Sequence, residues 1–161
     1  MAERAVFKGY ALQGIDGKGR VALPAPMRLI VESSKSDRQI FLTDDRLRGC
    51  LRAGDEVWLA RLQKRNAEAA DRALNAGHDF DYYEVGSTTN GPIDDVPFDA
   101  SGRFILPPFL RNKGALTDLA FFWGAGDSIE IWDPRRLLAK PDIDPAKRER
   151  CEYLMAERGA S

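Results

Sequence analysis

Residues 16–28, DGKGRVALPAPMR, and residues 99–111, DASGRFILPPFLR, decide the fold, because one pattern occurs twice in the chain. The two stretches are offset by 83 positions and share six identities in thirteen. Asp followed by Gly is typical of a tight turn, since Asp binds backbone amides and Gly supplies positive φ. An apolar triplet, VAL or FIL, then predicts a short strand, and the proline after it suits the first turn of a helix. Each copy therefore predicts a turn, a strand and a short helix.

The elements after each copy also repeat in order. Four more strands are predicted, two in each half, at residues 39–43, 49–53, 119–124 and 128–132. The glycine-rich stretch GAGD between the last two is typical of a hairpin turn. A helix follows each pair of strands, capped by Asp55 and ending near Gly77 in the first half, and capped by Asp133 in the second. A last helix is predicted between Asp144 and Gly159.

The segment between the halves has a different character. Residues 76–96 carry five acidic residues and no Lys or Arg. Its DYYEV stretch, residues 81–85, predicts a strand entering the second half with a flexible stretch after it, and the alternative is a plain solvated connector. The chain is accordingly divided into a first repeat (1–54), a helix and acidic linker (55–96), a second repeat (97–140) and a C-terminal helix or tail (141–161).

The composition is that of an ordinary soluble protein. The chain has 161 residues, of which 43% are hydrophobic and 30% charged, which suits one domain or two small halves that share a core. It has no apolar run long enough to span a membrane and no signal-peptide core, so a cytosolic location is expected. Because neither half can bury much core alone, we expect their strands to pair with one another.

The residues of enzyme sites are missing from the sequence. There is one histidine, His78, and no Cys/His cluster, phosphate-binding loop or nucleophile elbow. Cys50 and Cys151 lack the spacing of metal ligands and are expected to be small buried or half-buried residues. The sequence therefore predicts a protein without enzymatic activity, cofactor or metal.

The doubled pattern, extended to FKGYALQGIDGKGRVALPAPMR and DASGRFILPPFLRNKGALTDLAFFWGAGDSIEIWD, resembles the MraZ family of the AbrB-like superfamily. The resemblance covers roughly residues 7–140. Its most specific element is the Asp-x-x-x-Arg motif, which falls on Asp16–Arg20 and again on Asp99–Arg103. The fold class that it implies is β-rich α+β: a swapped-hairpin (double-split) β-barrel built from two internal repeats, with short helices and one longer helix between the repeats.

The resemblance also implies a function. Family members are repressors that bind double-stranded DNA at tandem promoter repeats of the bacterial division and cell-wall gene cluster. It implies a ring-like homo-oligomer, association with the nucleoid and no membrane partner. The DNA-contacting role carries over to Arg20 and Arg103, with Asp16 and Asp99 as the other ends of the motif.

The chemistry of the motif agrees with such a role. The planar fork of an arginine donates two parallel hydrogen bonds to a phosphate or to a guanine edge. An Asp four residues earlier can hold the guanidinium in one orientation and so reduce the entropy lost on binding. The alternative from the residues alone is that each Asp–Arg pair only stabilises its own turn.

The local net charge suggests which other residues help to bind DNA. Residues 1–35 hold six basic and three acidic residues, a net charge of +3, whereas residues 97–113 carry +2. Lys18 in the first copy stands where the second has Ser101, so the first copy is expected to supply more of the attraction to phosphate. Arg28 and Arg111, on the short helices, either contact phosphate or buttress the barrel.

The overall charge is the feature that fits DNA binding least. The formal net charge is −1 and the pI about 5.9, whereas DNA-binding domains are usually basic. Several subunits on repeated DNA boxes would compensate by avidity. The competing interpretation is a non-enzymatic scaffold, for instance an antitoxin-like module, that uses the same barrel to bind a protein.

Two surfaces are candidates for self-association. The consecutive residues Phe121, Phe122 and Trp123 must face both sides of a sheet, and the side away from the core needs a covering helix or a neighbouring subunit. The neighbouring subunit is the favoured expectation. The C-terminal helix, with Cys151, Leu154 and Met155 on one stripe, is either a handle for a partner or a docked tail.

Overall fold

A computed structural model describes residues 4–160, so the extreme ends of the predicted first repeat and of the C-terminal tail lie outside the described residues. The fold is β-rich α+β. The strands are β1 (Tyr10–Gly14), β2 (Arg20–Ala22), β3 (Gln39–Asp45), β4 (Cys50–Gly54), β5 (Asp94–Pro97), β6 (Arg103–Ile105), β7 (Leu119–Gly124) and β8 (Ile129–Trp132). The helices are α1 (Ala25–Glu32), α2 (Glu56–Asn75), α3 (Tyr82–Asn90), α4 (Pro108–Lys113), α5 (Pro134–Ala139) and α6 (Pro145–Arg158).

The sheets join the two halves of the chain. A six-stranded antiparallel sheet has the order β1-β7-β8-β4-β3-β5, and β2 pairs with β6 in a separate two-stranded ribbon. Within the six-stranded sheet, β3–β4 and β7–β8 are hairpins of one half, whereas β1–β7, β4–β8 and β3–β5 connect different halves. In chain order, β1, β3 and β4 of the first half correspond to β5, β7 and β8 of the second. With these correspondences the strand order is palindromic, that is, the same from either edge of the sheet. The expected pairing between halves is therefore confirmed.

Two hydrophobic clusters lie on opposite faces of the large sheet. The first fills the space between the sheet, the ribbon and helices α1 and α4. The second lies on the outer face and includes Leu137 of α5 with Cys151 and Met155 of α6. Along β7, Phe122 belongs to the first cluster and Phe121 to the second, as the alternation of side chains in a strand requires.

The outer face of the sheet is thus covered by the chain itself. The favoured expectation of a neighbouring subunit on this face was wrong, because α5 and α6 fold back over β7 and bury Phe121 completely. The C-terminal helix is a docked tail. Its Lys147 Nζ lies 2.8 Å from Glu130 Oε1 and within 5.6 and 5.8 Å of the ring centres of Trp123 and Trp132, so an ion pair and two cation–π contacts hold it in place.

The predicted helices start where their caps indicate. The side chains of Asp55, Asp133 and Asp144 each accept a hydrogen bond from the backbone amide three residues on. Gly159 ends the last helix with a φ of 75°, a conformation that glycine adopts without strain. The predicted turn in GAGD is also present. Both cysteines are free and buried, as expected.

The strand expected at residues 81–85 was wrong, since these residues open helix α3. The Asp81 side chain accepts a hydrogen bond of 3.0 Å from the amide of Glu84, and this helix start outweighs the strand preference of the Tyr and Val residues. Residues 87–90, in the stretch expected to be flexible, are also helical, and the hydroxyls of Thr88 and Thr89 bond back to carbonyls of the preceding turn. The strand of this segment is β5.

Two classes of feature are missing from the part of the chain that the structure describes. None of its helices is both long and apolar enough to cross a membrane. No group of three or more His, Cys, Asp or Glu side chains is placed to hold a metal ion in residues 4–160.

Candidate nucleic-acid interface

The first Asp-x-x-x-Arg motif forms a tight turn closed by its own carboxylate. Asp16 Oδ1 accepts hydrogen bonds of 2.9 Å from the amides of Lys18 and Arg20. Asp16 Oδ2 accepts a third, of 2.7 Å, from Nε of the Arg20 guanidinium. Gly19 has a φ of 80°, which a residue with a Cβ adopts only with strain. One aspartate thus fixes both the backbone of the turn and the direction of the arginine.

The second motif repeats this geometry. Asp99 Oδ1 accepts from the amides of Ser101 and Arg103 at 2.9 and 3.0 Å, and Oδ2 accepts from Arg103 Nε at 3.0 Å. Gly102 has a φ of 83°. The expected Asp–Arg pair is therefore present in both copies. In each pair the aspartate accepts from Nε, so this hydrogen bond does not use the terminal Nη groups.

The β2–β6 ribbon places both arginines on one face. Its register joins Arg20 with Ile105, Val21 with Phe104, and Ala22 with Arg103. The middle pair is buried, so the two outer pairs point away from the core, because side chains alternate along a strand. Arg20 and Arg103 are diagonal neighbours on this outer face, a relation that places Cα atoms about 7–8 Å apart. Their side chains are 43% and 57% exposed.

Arg28 of helix α1 contacts the second motif rather than its own. Its Nη1 donates a hydrogen bond of 3.0 Å to the carbonyl of Ala100. A Cβ on Gly102 would lie 3.2 Å from Arg28 Cδ and 3.0 Å from the carbonyl oxygen of Leu23. The glycine therefore supplies the positive φ of the turn and also lets the helix of the other half approach it.

Arg111 of helix α4 has the corresponding position against the first motif. A Cβ on Gly19 would lie 3.2 Å from Arg111 Nη1. The guanidinium donates to the carbonyls of Leu116 and Thr117 at 3.1 and 2.7 Å. Arg111, like Arg28, is half-buried, and both make the contacts of the buttressing alternative. The sequence did not indicate that each arginine contacts the turn of the other half, because only the pairing of β2 with β6 brings them together.

The electrostatics of the motifs follow from these hydrogen bonds. The backbone amide and then the side chain of Arg20 lower the pKa of Asp16 to about 2. The amide of Arg103, with its guanidinium, lowers the pKa of Asp99 in the same way. Both carboxylates are therefore ionised near neutral pH, and each balances the charge of its arginine. Lys18 is exposed beside the first motif, where it adds a positive charge that Ser101 does not supply in the second.

The chain is similar to curated bacterial proteins over most of its length. A protein of Ruegeria pomeroyi named "Transcriptional regulator MraZ" is 32% identical over 146 residues, which are 83% of this chain and 80% of that protein. Proteins of the same name from Parvibaculum lavamentivorans and Rhodospirillum rubrum are 31% identical over 132 residues and 29% identical over 139 residues. These matches cover 80% and 86% of this chain, and 76% and 86% of the two relatives. No protein-family model matches the chain.

These relatives define the class of protein as a bacterial transcriptional regulator. More narrowly, the chain belongs to the MraZ family.

Proposed function

We propose that this transcriptional regulator binds double-stranded DNA through the outer face of the β2–β6 ribbon. The observation that carries the proposal is the pair of exposed guanidinium groups, each held by an aspartate, on one side of a two-stranded ribbon. A ribbon of this width fits the major groove of B-DNA. The proposed activity is binding alone and involves no catalytic step.

Each motif residue has a role in this proposal. The Nη groups of Arg20 and Arg103 donate to O6 and N7 of guanine, since Asp16 and Asp99 already accept from Nε. Lys18 binds a phosphate. Arg28 acts as a positioning residue, because it donates to a carbonyl of the opposite turn. Arg111 packs beside Gly19 of the opposite turn and is itself held by two carbonyls of its own half.

The proposal extends to the architecture of the chain. The palindromic order of the large sheet and the exchange of strands between halves support a swapped-hairpin β-barrel of two AbrB-like repeats, 1–54 and 97–140. Residues 55–96 then form a helical and acidic linker whose last residues enter β5 of the second half, and residues 141–161 form a tail that packs on the outer face. On this reading a duplicated gene segment supplies the two motifs that one DNA site needs.

A formal net charge of −1 makes a single subunit a weak DNA ligand, because phosphate contacts supply most non-specific affinity. We therefore propose that the protein forms a ring-like homo-oligomer, which associates with the nucleoid. The oligomer binds tandem promoter repeats of the division and cell-wall gene cluster. Nuclease footprinting on the promoter would define the DNA boxes that the protein covers. A duplex with all of these footprinted boxes should bind at least about tenfold more tightly than a duplex with one, owing to effective concentration. Equal affinity for the two duplexes would contradict the oligomeric part of the proposal.

The DNA-binding part is tested by an electrophoretic shift with the promoter region upstream of the chain's own gene. Replacing Arg20 and Arg103 together by Gln should abolish the specific shift, since each lost base contact costs about 1–3 kcal/mol. A matched control replaces Arg46 and Arg72, two exposed arginines outside the ribbon, and changes the net charge equally. A protein-binding scaffold would give no specific shift even as the wild type.

A further inference from the structure

The outer face of the ribbon is not symmetric, although its two motifs are. Under the offset of 83 positions, the arginines and aspartates of the two copies coincide, but Ala22 corresponds to Ile105. Ala22 is half-buried, whereas Ile105 is 59% exposed. One half of the face therefore presents a short methyl group and the other a branched aliphatic side chain.

The register places Ile105 beside both arginines of the proposed contact. It lies directly opposite Arg20 and two residues along the same strand from Arg103. An isolated exposed hydrophobic residue usually needs no explanation. This one, however, is a neighbour of both oriented arginines and lines one cavity with them, so a ligand that both arginines bind also lies against the isoleucine.

The surface around Ile105 is concave. A cavity of about 380 Å³ is lined by both arginines, by Ile105 and by Pro97 of β5, among other residues. Under the same offset, Gly14 stands in the first half where Pro97 stands in the second. The second half therefore offers a ring and an aliphatic chain, whereas the first offers only hydrogen atoms and a methyl group at these positions.

We propose that Ile105 recognises the C5-methyl group of a thymine next to a guanine bound by Arg20 or Arg103. The thymine methyl is the apolar group that the base pairs display in the major groove, and aliphatic side chains contact it directly. Because Ala22 does not reach as far, the two halves of one subunit require different bases. This inference rests on the proposed DNA binding, and it gives each subunit a defined polarity on its DNA box.

The test uses duplexes in which each thymine of the footprinted box is replaced in turn by deoxyuridine, which removes only the methyl group. At one position the wild-type protein should bind the deoxyuridine duplex about 3- to 5-fold more weakly, the effect of burying one methyl group. The variant Ile105→Ala should bind the thymine and deoxyuridine duplexes equally at that position. Ile105→Val, which keeps two methyl groups, should give an intermediate ratio.

Two outcomes separate this inference from the proposed function. If binding depends on Arg20 and Arg103 but no thymine position differs between the wild type and Ile105→Ala, the thymine contact is overturned and DNA binding stands. If the wild type binds the promoter no more tightly than the variant that lacks Arg20 and Arg103, the proposed function itself fails. Because Ile105 is largely exposed, the melting temperature of Ile105→Ala should equal that of the wild type. Ala22→Ser is a control substitution on the same face, and this variant should keep the thymine preference.

Discussion

Replacing Asp16 and Asp99 by Asn separates two effects of the aspartates on DNA binding. An Asn side chain keeps the shape of Asp, and its oxygen can still accept from the backbone amides of the turn. It cannot reproduce the charged hydrogen bonds of 2.7 and 3.0 Å that now hold Arg20 Nε and Arg103 Nε. The substitution therefore releases both guanidinium groups and, at the same time, removes two negative charges from the proposed interface.

The two effects have opposite signs. Ordering one long side chain on binding costs about 0.5–1.5 kcal/mol, so each released arginine should weaken promoter binding by about 2- to 13-fold. Losing two negative charges should instead strengthen binding to any duplex, an effect that salt screens. We therefore expect tighter binding to a scrambled duplex at low salt and weaker binding to the promoter at physiological salt.

Fluorescence anisotropy over a series of salt concentrations, with promoter and scrambled duplexes, measures both effects. The control variant replaces Asp44 and Asp71 together by Asn, which also removes two carboxylates outside the ribbon and should leave the ratio of the two dissociation constants unchanged. Tighter promoter binding by the motif variant than by the wild type at every salt concentration would show that the aspartates do not orient the arginines.

Three further predictions concern stability and ionisation. Gly54→Ala should lower the free energy of unfolding in urea by about 1–3 kcal/mol, because its Cβ would lie 2.5 Å from the buried ring of Trp58; an unchanged urea midpoint would contradict this packing. Burial raises the pKa of the Cys50 and Cys151 thiols to about 12, so neither should react with a disulfide reagent at pH 8 before the protein unfolds, and rapid reaction of the native protein would count against their burial. The carboxyl of Asp16, with a pKa lowered to about 2 from an ordinary value of 3.8, should stabilise the fold above pH about 4 and lose that contribution as the pH falls towards 2; an NMR titration midpoint at or above 3.8 would disprove the hydrogen bonds assigned to it.

The local parts of this fold could be predicted because they depend on neighbouring residues. The turn from Asp16 to Arg20 needs only its own aspartate and the glycine at position 19, so its hydrogen bonds follow from the sequence. The helix starts at Asp55, Asp133 and Asp144 are equally local, since each cap bonds an amide three residues away. Repetition of the pattern then indicated that the halves pair with each other.

Helix α3 could have been found from a signal that was not used. Asp81 and Glu84 have the spacing of a helix start, and Asp81 does cap the helix. The two tyrosines and the valine favoured a strand instead. Their strand preference takes effect where the residues pack in a half-buried sheet. Here the segment packs on helix α2 through the pairs Gln63–Asn90 and Asn66–Thr89, so the strand preference is not realised.

The parts that could not be predicted depend on contacts between distant residues. The hydrogen bond from Arg28 to Ala100 joins positions 72 residues apart, and no local pattern indicates it. The cover over Phe121 likewise depends on where α5 and α6 turn back, which is set by Glu130, Lys147 and the two tryptophans beside them. The outward position of Ile105 follows from the register of the ribbon alone.

The central claim is that the outer face of the β2–β6 ribbon lies against DNA. Photo-crosslinking tests it most directly, with p-benzoylphenylalanine placed at Ala22 on that face and, for comparison, at Tyr83, which is 87% exposed on α3. We expect an ultraviolet-dependent crosslink to promoter DNA from position 22 and none from position 83. A crosslink from position 83 with none from position 22, in variants that both still bind the promoter, would contradict it.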